Sequence, residues 1–365
     1  MGDKRLSTPI LVATIFATHL GAGATLGLIE QISNVGIICA ILTMIGVIRW
    51  SITKAIFSSY ITNFKGCISQ ATVMQKLYGN FGLWSSNIST LIISIGLIAG
   101  QVMVMGFVFQ YFFGLSSTWG IAISGAIITT YSTSGGIKAV ILTDLLQMTL
   151  FCLIIAIVFW FAMERIMVEQ NVLALLPQSK VWVIPHDWHS AMLVIGVMVY
   201  SIIPIGGDAP FIQRLLISGS PKQLKKTFSY VAILDLLVIF AISCIAVVLL
   251  PTVGDGSITK GEILSIVEST MHPVVVNGIA LGLLAITMST ADSWLNAAAV
   301  TISHDIVKWF KPKLKDADDI RNARLATISL GLSASLLALY SSSLMSVILL
   351  ANNFYHPIIL IPIAA

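Results

Sequence analysis

Charge is scarce in this chain. Of 365 residues only 16 are Asp or Glu and 20 are Lys or Arg, 10% in all, against about a quarter in soluble globular domains. A water-soluble domain is therefore excluded. Cysteine is scarce too: Cys39, Cys67, Cys152 and Cys244 sit in or beside apolar runs with no C-x-x-C spacing. That excludes a disulfide scaffold or a zinc site and reads as inert buried thiols. No G-x-x-x-x-G-K-S/T string occurs, so ATP-driven chemistry has no phosphate loop to rest on. Met1–Arg5 leads into a long Gly-broken span rather than a short apolar stretch with a cleavage site, which argues against a signal peptide.

Apolar sequence fills the chain instead, 57% of it. Runs near the roughly 20 residues that cross a bilayer occur at about 9–29, 36–57, 85–112, 117–134, 140–162, 190–215, 228–251, 273–304, 322–341 and 344–365. They predict an all-α membrane protein of ten spans, one transmembrane unit over 1–365 embedded in lipid. Ten spans put 17 of the 20 basic residues on one side, Lys4, Arg49, Lys138, Arg214 and Lys308 among them. Only Arg165, Lys180 and Lys260 fall on the other. Cytoplasmic loops are enriched in Lys and Arg, so the N-terminus is expected inside. The basic excess is topology, and no nucleic-acid partner is implied.

Two of the runs are broken. Thr14–Gly27 interrupts the first with several glycines, and Pro204–Pro210 interrupts the sixth. Backbone groups freed inside lipid are tolerated only where they line a protein cavity, so two breaks in corresponding places point to the central site of a transporter. The breaks lie five spans apart, and an odd number gives two repeats, about 9–162 and 190–365, opposite topology. This rests on break position and parity, since the halves show no residue-level similarity. Of the connections, 58–84 has room for a short cytoplasmic helix and 261–272 for a short amphipathic one outside. The stretch 164–189, with Trp182, His186, Trp188 and His189, is an outer cap or a headgroup-level anchor.

Four strings carry chemistry. Thr18-His19-Leu20-Gly21-Ala22-Gly23 lies at the first break, and Gly135-Gly136 followed by Ala139-Val140, Thr143-Asp144 and Gln147 links the fourth and fifth spans. Asp208 with Gln213-Arg214 closes the sixth, and Ser289-Thr290 with Ser293-Trp294-Leu295-Asn296 occupies the middle of the eighth. In this order they resemble the sodium:solute symporter family, carriers of sugars, proline, pantothenate, monocarboxylates and similar solutes, over nearly the whole chain. The resemblance implies a LeuT-like 5+5 inverted-repeat core of ten helices with broken helices 1 and 6, here without the family's flanking helices, in a bacterial inner (plasma) membrane.

On a helix Ser289, Asp292, Ser293 and Asn296 share one face, and hydroxyls with freed carbonyls suit a hard cation. The resemblance implies sodium held by the side-chain oxygens of Ser289 and Thr290 and the carbonyls of Ile286, Ala17 and Leu20. The plainer reading is that these hydroxyls only bond neighbouring helices. The resemblance also implies that Asp144 gates or attracts sodium on the inner path, with Gly135 and Gly136 allowing the tight loop; helix-end capping is the alternative. Candidate cavity residues are His19, Gly21, Gly23, Gln101, Tyr200, Asp208, Asp292 and Asn296, with Asn352 and Asn353 also within reach. Asp292 stands where the family has a small neutral residue. It reads as a further sodium ligand, a proton carrier or the partner of a cation, with His19 as a candidate partner in the same cavity; the plainer reading is a structural acid. Asp208 either orders the second break or touches solute, while Gln213 and Arg214 read as an anchor of the cytoplasmic end. Sugar-carrying relatives place an aromatic where this chain has Pro204-Ile205, which disfavours sugar stacking.

The expected function is sodium-coupled import of a small polar organic solute, an amino acid, carboxylate or vitamin, by alternating access. Sodium is the coupling ion, with no organic cofactor and no enzymatic chemistry. Proton coupling and a transporter-like membrane sensor are the alternatives. A membrane enzyme built on His186, His189 or His304-Asp305 lacks a matching ligand cluster.

Overall fold

The structure is a computed structural model that describes residues 6–21, 23–64, 66–168, 175–181, 188–254, 256, 258, 260–313, 315–341 and 356–364. Among these every regular element is helical. The first run forms two helices, α1 (Thr8–His19) and α2 (Leu26–Val35), and the chain leaves α1 through an extended Leu20. The second forms α3 (Ile37–Ile45) and α4 (Ile48–Tyr60). α5 (Gln70–Phe113) starts at a reciprocal Ser69–Thr72 capping box and kinks at Tyr78–Gly79, so its first two turns are the short helix expected within 58–84. α6 (Ser117–Gly135), α7 (Ile137–Val168) and the short α8 (Gln178–Val181) follow.

The sixth run is split again, into α9 (Trp188–Ile202) and α10 (Ala209–Leu216). Then come α11 (Pro221–Val253), α12 (Lys260–Thr270) at the expected outer segment, and α13 (Pro273–Val300). α13 runs through a π-helical turn, Thr301–Val307, into α14 (Lys308–Phe310). α15 (Asp316–Tyr340) and, after a second π turn, α16 (Ile361–Ala364) complete the described chain.

Among the described residues six helices are long and apolar enough to cross a membrane: Ile37–Ser59, Gln70–Phe113, Ala139–Glu164, Pro221–Val253, Pro273–Phe310 and Asp318–Tyr340. The first and sixth runs fall short because the breaks divide them, and α6 is diluted by Ser, Thr and Gly. Most of the tenth expected span, 342–355, lies outside the described residues. Exposed Leu142, Leu146, Leu150, Leu153, Ile157 and Trp160 recur every three or four residues along α7, a stripe that lipid would cover.

α5, α6, α13 and α15 pack on one another, while α1, α2 and α4 gather around α11; α7 and α13 touch both groups. In lipid such association depends on close backbone approach. A Cβ on Gly120 of α6 would lie 2.7 Å from the Gly106 carbonyl oxygen of α5, so glycine is required there. At the second break Gly206 has φ 115°, a conformation for glycine, and a Cβ there would strike the Phe211 ring. Basic residues need one correction: Arg49 lies in the middle of the span Ile37–Ser59 and Arg214 is 1% exposed. Neither is a loop charge.

Candidate functional site

Breaking a helix frees carbonyls, and in an apolar body each must find a partner. At the first break the partner is Thr290 of α13: its Oγ1 lies 3.2 Å from the Ala17 carbonyl oxygen, 2.9 Å from that of Leu20 and 3.0 Å from that of Ile286. One hydroxyl proton serves one acceptor, yet three carbonyls surround it. Gly21 closes against this cluster, since a Cβ there would lie 3.0 Å from Gln101 Nε2 and 3.2 Å from Thr290 Cγ2. At the second break Thr53 of α4 donates to the Ile205 carbonyl at 2.7 Å, and Gln70 of α5 donates to that of Gly207. Asp208 caps α10, accepting from the Phe211 amide at 2.8 Å, so it orders the break.

A charged knot lies beside these carbonyls. Asp144 is fully buried and accepts from Thr14 Oγ1 and Ser289 Oγ, both at 2.5 Å. Arg214 Nη2 reaches Asp144 Oδ2 at 2.9 Å and Ser293 Oγ at 2.6 Å, Nε reaches Thr14 Oγ1 at 2.8 Å, and Nη1 reaches the Pro210 carbonyl at 3.0 Å. Arg214 is thus no anchor at the membrane edge, and Asp144 is a junction of α1, α7, α10 and α13 rather than a helix cap. Ser289, next to Thr290, turns toward Asp144.

Other candidates are placed apart from this pair of clusters. Asp292 is 2% exposed and its Oδ1 has no hydrogen bond among the described residues. It neighbours Tyr131 and Ser132. His19 does not meet Asp292; it stands edge-on to Trp50, with ring centroids 5.5 Å apart. Asn296 faces Gln213 of α10 at 3.5 Å. Gly23 is exposed with nothing near its α-carbon face, and Gly135 and Gly136 end α6, the latter with φ 81°. The Tyr200 side chain, Asn352, Asn353, Trp182 and His186 lie outside the described residues. His304 binds Asp305 at 3.0 Å and Ser69 donates to Asp305 at 2.9 Å, which ties the end of α13 to the start of α5. Among the described residues no three His, Cys, Asp or Glu converge as a metal cluster.

Sequence reasoning passed over Thr53, Gln70 and the pair of Arg49 with Asp235, 3.5 Å apart. The signal was there for the pair, because each is a charge inside an apolar run.

Two split helices whose freed carbonyls meet hydroxyl and amide side chains of neighbouring helices, inside an all-helical apolar body, define a secondary transporter of the broken-helix class. The family described as Sodium:solute symporter family matches residues 1–363, and the chain belongs to it. Among solved structures it is similar to a Na+-coupled sialic acid symporter, captured substrate-bound and outward-open and described as revealing a novel Na+-site. The TM-score is 0.79 at 19% identity, covering 97% of this chain and 77% of that one. It is also similar to MhsT in complex with L-phenylalanine, with a TM-score of 0.63 at 16% identity, covering 100% of this chain and 89% of that one. At these identities the likeness shows the fold. No curated protein sequence matches the chain.

Proposed function

We propose that the protein is a sodium-coupled symporter that imports a small polar organic solute by alternating access, on a 5+5 inverted-repeat core with its N-terminus in the cytoplasm. The observation that carries this is the ring of Ala17, Leu20 and Ile286 carbonyls around the Thr290 hydroxyl, four oxygens from two helices with one proton among them. A hard cation takes such a donor set, and Ser289 adds its hydroxyl by turning from Asp144.

Sodium in the ring joins α1 to α13 and favours the state that holds them together. An ion bound equally in both states would couple nothing. Solute binds between the breaks, beside Gly21 and Gln101. Loss of sodium releases α1 on the inner side, where Asp144, tied to α1 through Thr14 and to α10 through Arg214, stands in the ion's path.

The test is uptake by the full chain in proteoliposomes of pooled labelled amino acids, monocarboxylates, vitamins and sugars, under a sodium or a proton gradient. Sodium-driven uptake that is lost in Thr290→Ala supports the proposal. Uptake driven by protons alone assigns proton coupling, and binding without uptake assigns a sensor.

A further inference from the structure

We propose that Arg49 is the anion-binding residue of the solute site, and hence that the solute carries a carboxylate. The inference rests on reading the chain as a sodium-coupled symporter and names its substrate class. Arg49 lies in the middle of the span Ile37–Ser59, where charge is expensive and is kept for a task. As an ion pair it is poorly closed. Its Nη2 stands 3.5 Å from Asp235 Oδ2, well beyond the about 2.8 Å of a charge-assisted hydrogen bond, and that oxygen already accepts from Trp50 Nε1 at 2.8 Å. Arg49 Nε is buried with no hydrogen-bond partner among the described residues. A structural Arg–carboxylate pair is forked and short; this guanidinium keeps donors in reserve.

On α4 the neighbours of Arg49 touch both breaks. Thr53, one turn along the same face of α4, donates to the Ile205 carbonyl in the second break at 2.7 Å. Trp50, the next residue, stands edge-on to His19, the last residue of α1. Arg49 is thus linked to the α9–α10 break through Thr53 on its own face and to the end of α1 through Trp50 beside it. A carboxylate there takes Nε–H and an Nη–H together, and Asp235 balances the guanidinium before it arrives. The nearby aromatics Trp50, Phe57, Phe211 and Phe228 are buried against one another, so they offer no open face to a sugar ring.

The test uses the purified full chain and matched probes: acetate, lactate, benzoate, L-alanine and L-proline, each against its amide, with galactose and glycerol as probes lacking a carboxylate. Binding is read from melting temperature and tryptophan fluorescence in sodium and in potassium. At least one acid binds in sodium, and its amide binds at least about 30-fold more weakly, the scale of a buried charge left without its partner. Arg49→Gln loses affinity for the acid by a similar factor but keeps the sodium-induced shift, and Arg49→Lys regains part of the loss. Should Arg49→Gln fail to fold, Asp235→Asn removes the competing carboxylate and binds the acid at least as tightly as wild type. An amide that binds as well as its acid, full acid affinity in Arg49→Gln, weakened acid binding in folded Asp235→Asn, or a panel without any acid that binds overturns the proposal. A missing Thr290-dependent sodium shift is a different failure, that of the symporter reading.

Discussion

Arg214 and Asp144, on α10 and α7, close a 2.9 Å ion pair whose side chains are 2% and 0% exposed. Thr14 hydrogen-bonds both partners, so α1 is held by the same pair. Removing one partner strands a buried charge, at a cost of about 3–5 kcal/mol, while removing both is far milder. Thermal unfolding of Arg214→Met, Asp144→Leu and the double variant should show the double closer to wild type than either single. Destabilisations that simply add would mean the pair is not coupled.

The sodium ring makes a sharper demand on Thr290 than on Ser289. Thr290→Ala removes the oxygen that three carbonyls share, whereas Thr290→Ser keeps it. Sodium half-saturation should rise at least about tenfold in the alanine variant, equivalent to about 1.4 kcal/mol, and stay near wild type in the serine variant. The readout is sodium-dependent stabilisation or uptake. Equal sodium response in wild type and Thr290→Ala would remove the ring from the coupling mechanism.

The helices and their two interruptions were legible because length, apolarity and Gly or Pro breaks are local signals. The structure brings Thr290 together with the carbonyls of Ala17, Leu20 and Ile286, residues reached from the sequence through a family resemblance and not through spacing, since Ala17 and Thr290 are 273 positions apart. Arg214 was misplaced for a physical reason: at the end of an apolar run a basic side chain looks the same whether it snorkels to water or turns inward to an acid 70 residues away. Asp292 and His19 were paired on the idea of a shared cavity. The aromatic contact of His19 with Trp50 shows that it faces the α4–α11 side instead.

Gly206 sets the geometry of the second break. With φ 115° and the Phe211 ring against its α-carbon, an added methyl meets both an unfavourable backbone and a buried aromatic. Gly206→Ala should cost at least about 1–3 kcal/mol, the scale of a strained backbone residue. It should also loosen the Thr53–Ile205 bond, seen as faster amide exchange around 203–207. A melting temperature equal to wild type would show that the break tolerates other conformations.

At the far end of α2 from the first break, Lys180 gathers three carbonyls. Its Nζ donates to Ser33 at 2.9 Å, Asn34 at 3.0 Å and Gly256 at 3.1 Å, and the first two belong to the last turn of α2, where a cation also meets the favourable end of the helix dipole. Asn34 adds a reciprocal pair with Ile258, 2.9 Å and 3.1 Å, so α2, the second half of the first broken helix, is tied to the segment that leads into α12. Lys180→Met keeps the apolar stem but withdraws the charge, at about 1.5–3 kcal/mol for hydrogen bonds to a charged group. Amide exchange should speed at Asn34, Gly36 and Ile258 while Thr290-dependent sodium stabilisation persists, because the ring lies at the other end of the break. Unchanged exchange at these three amides would mean that Asn34 alone holds α2 in place.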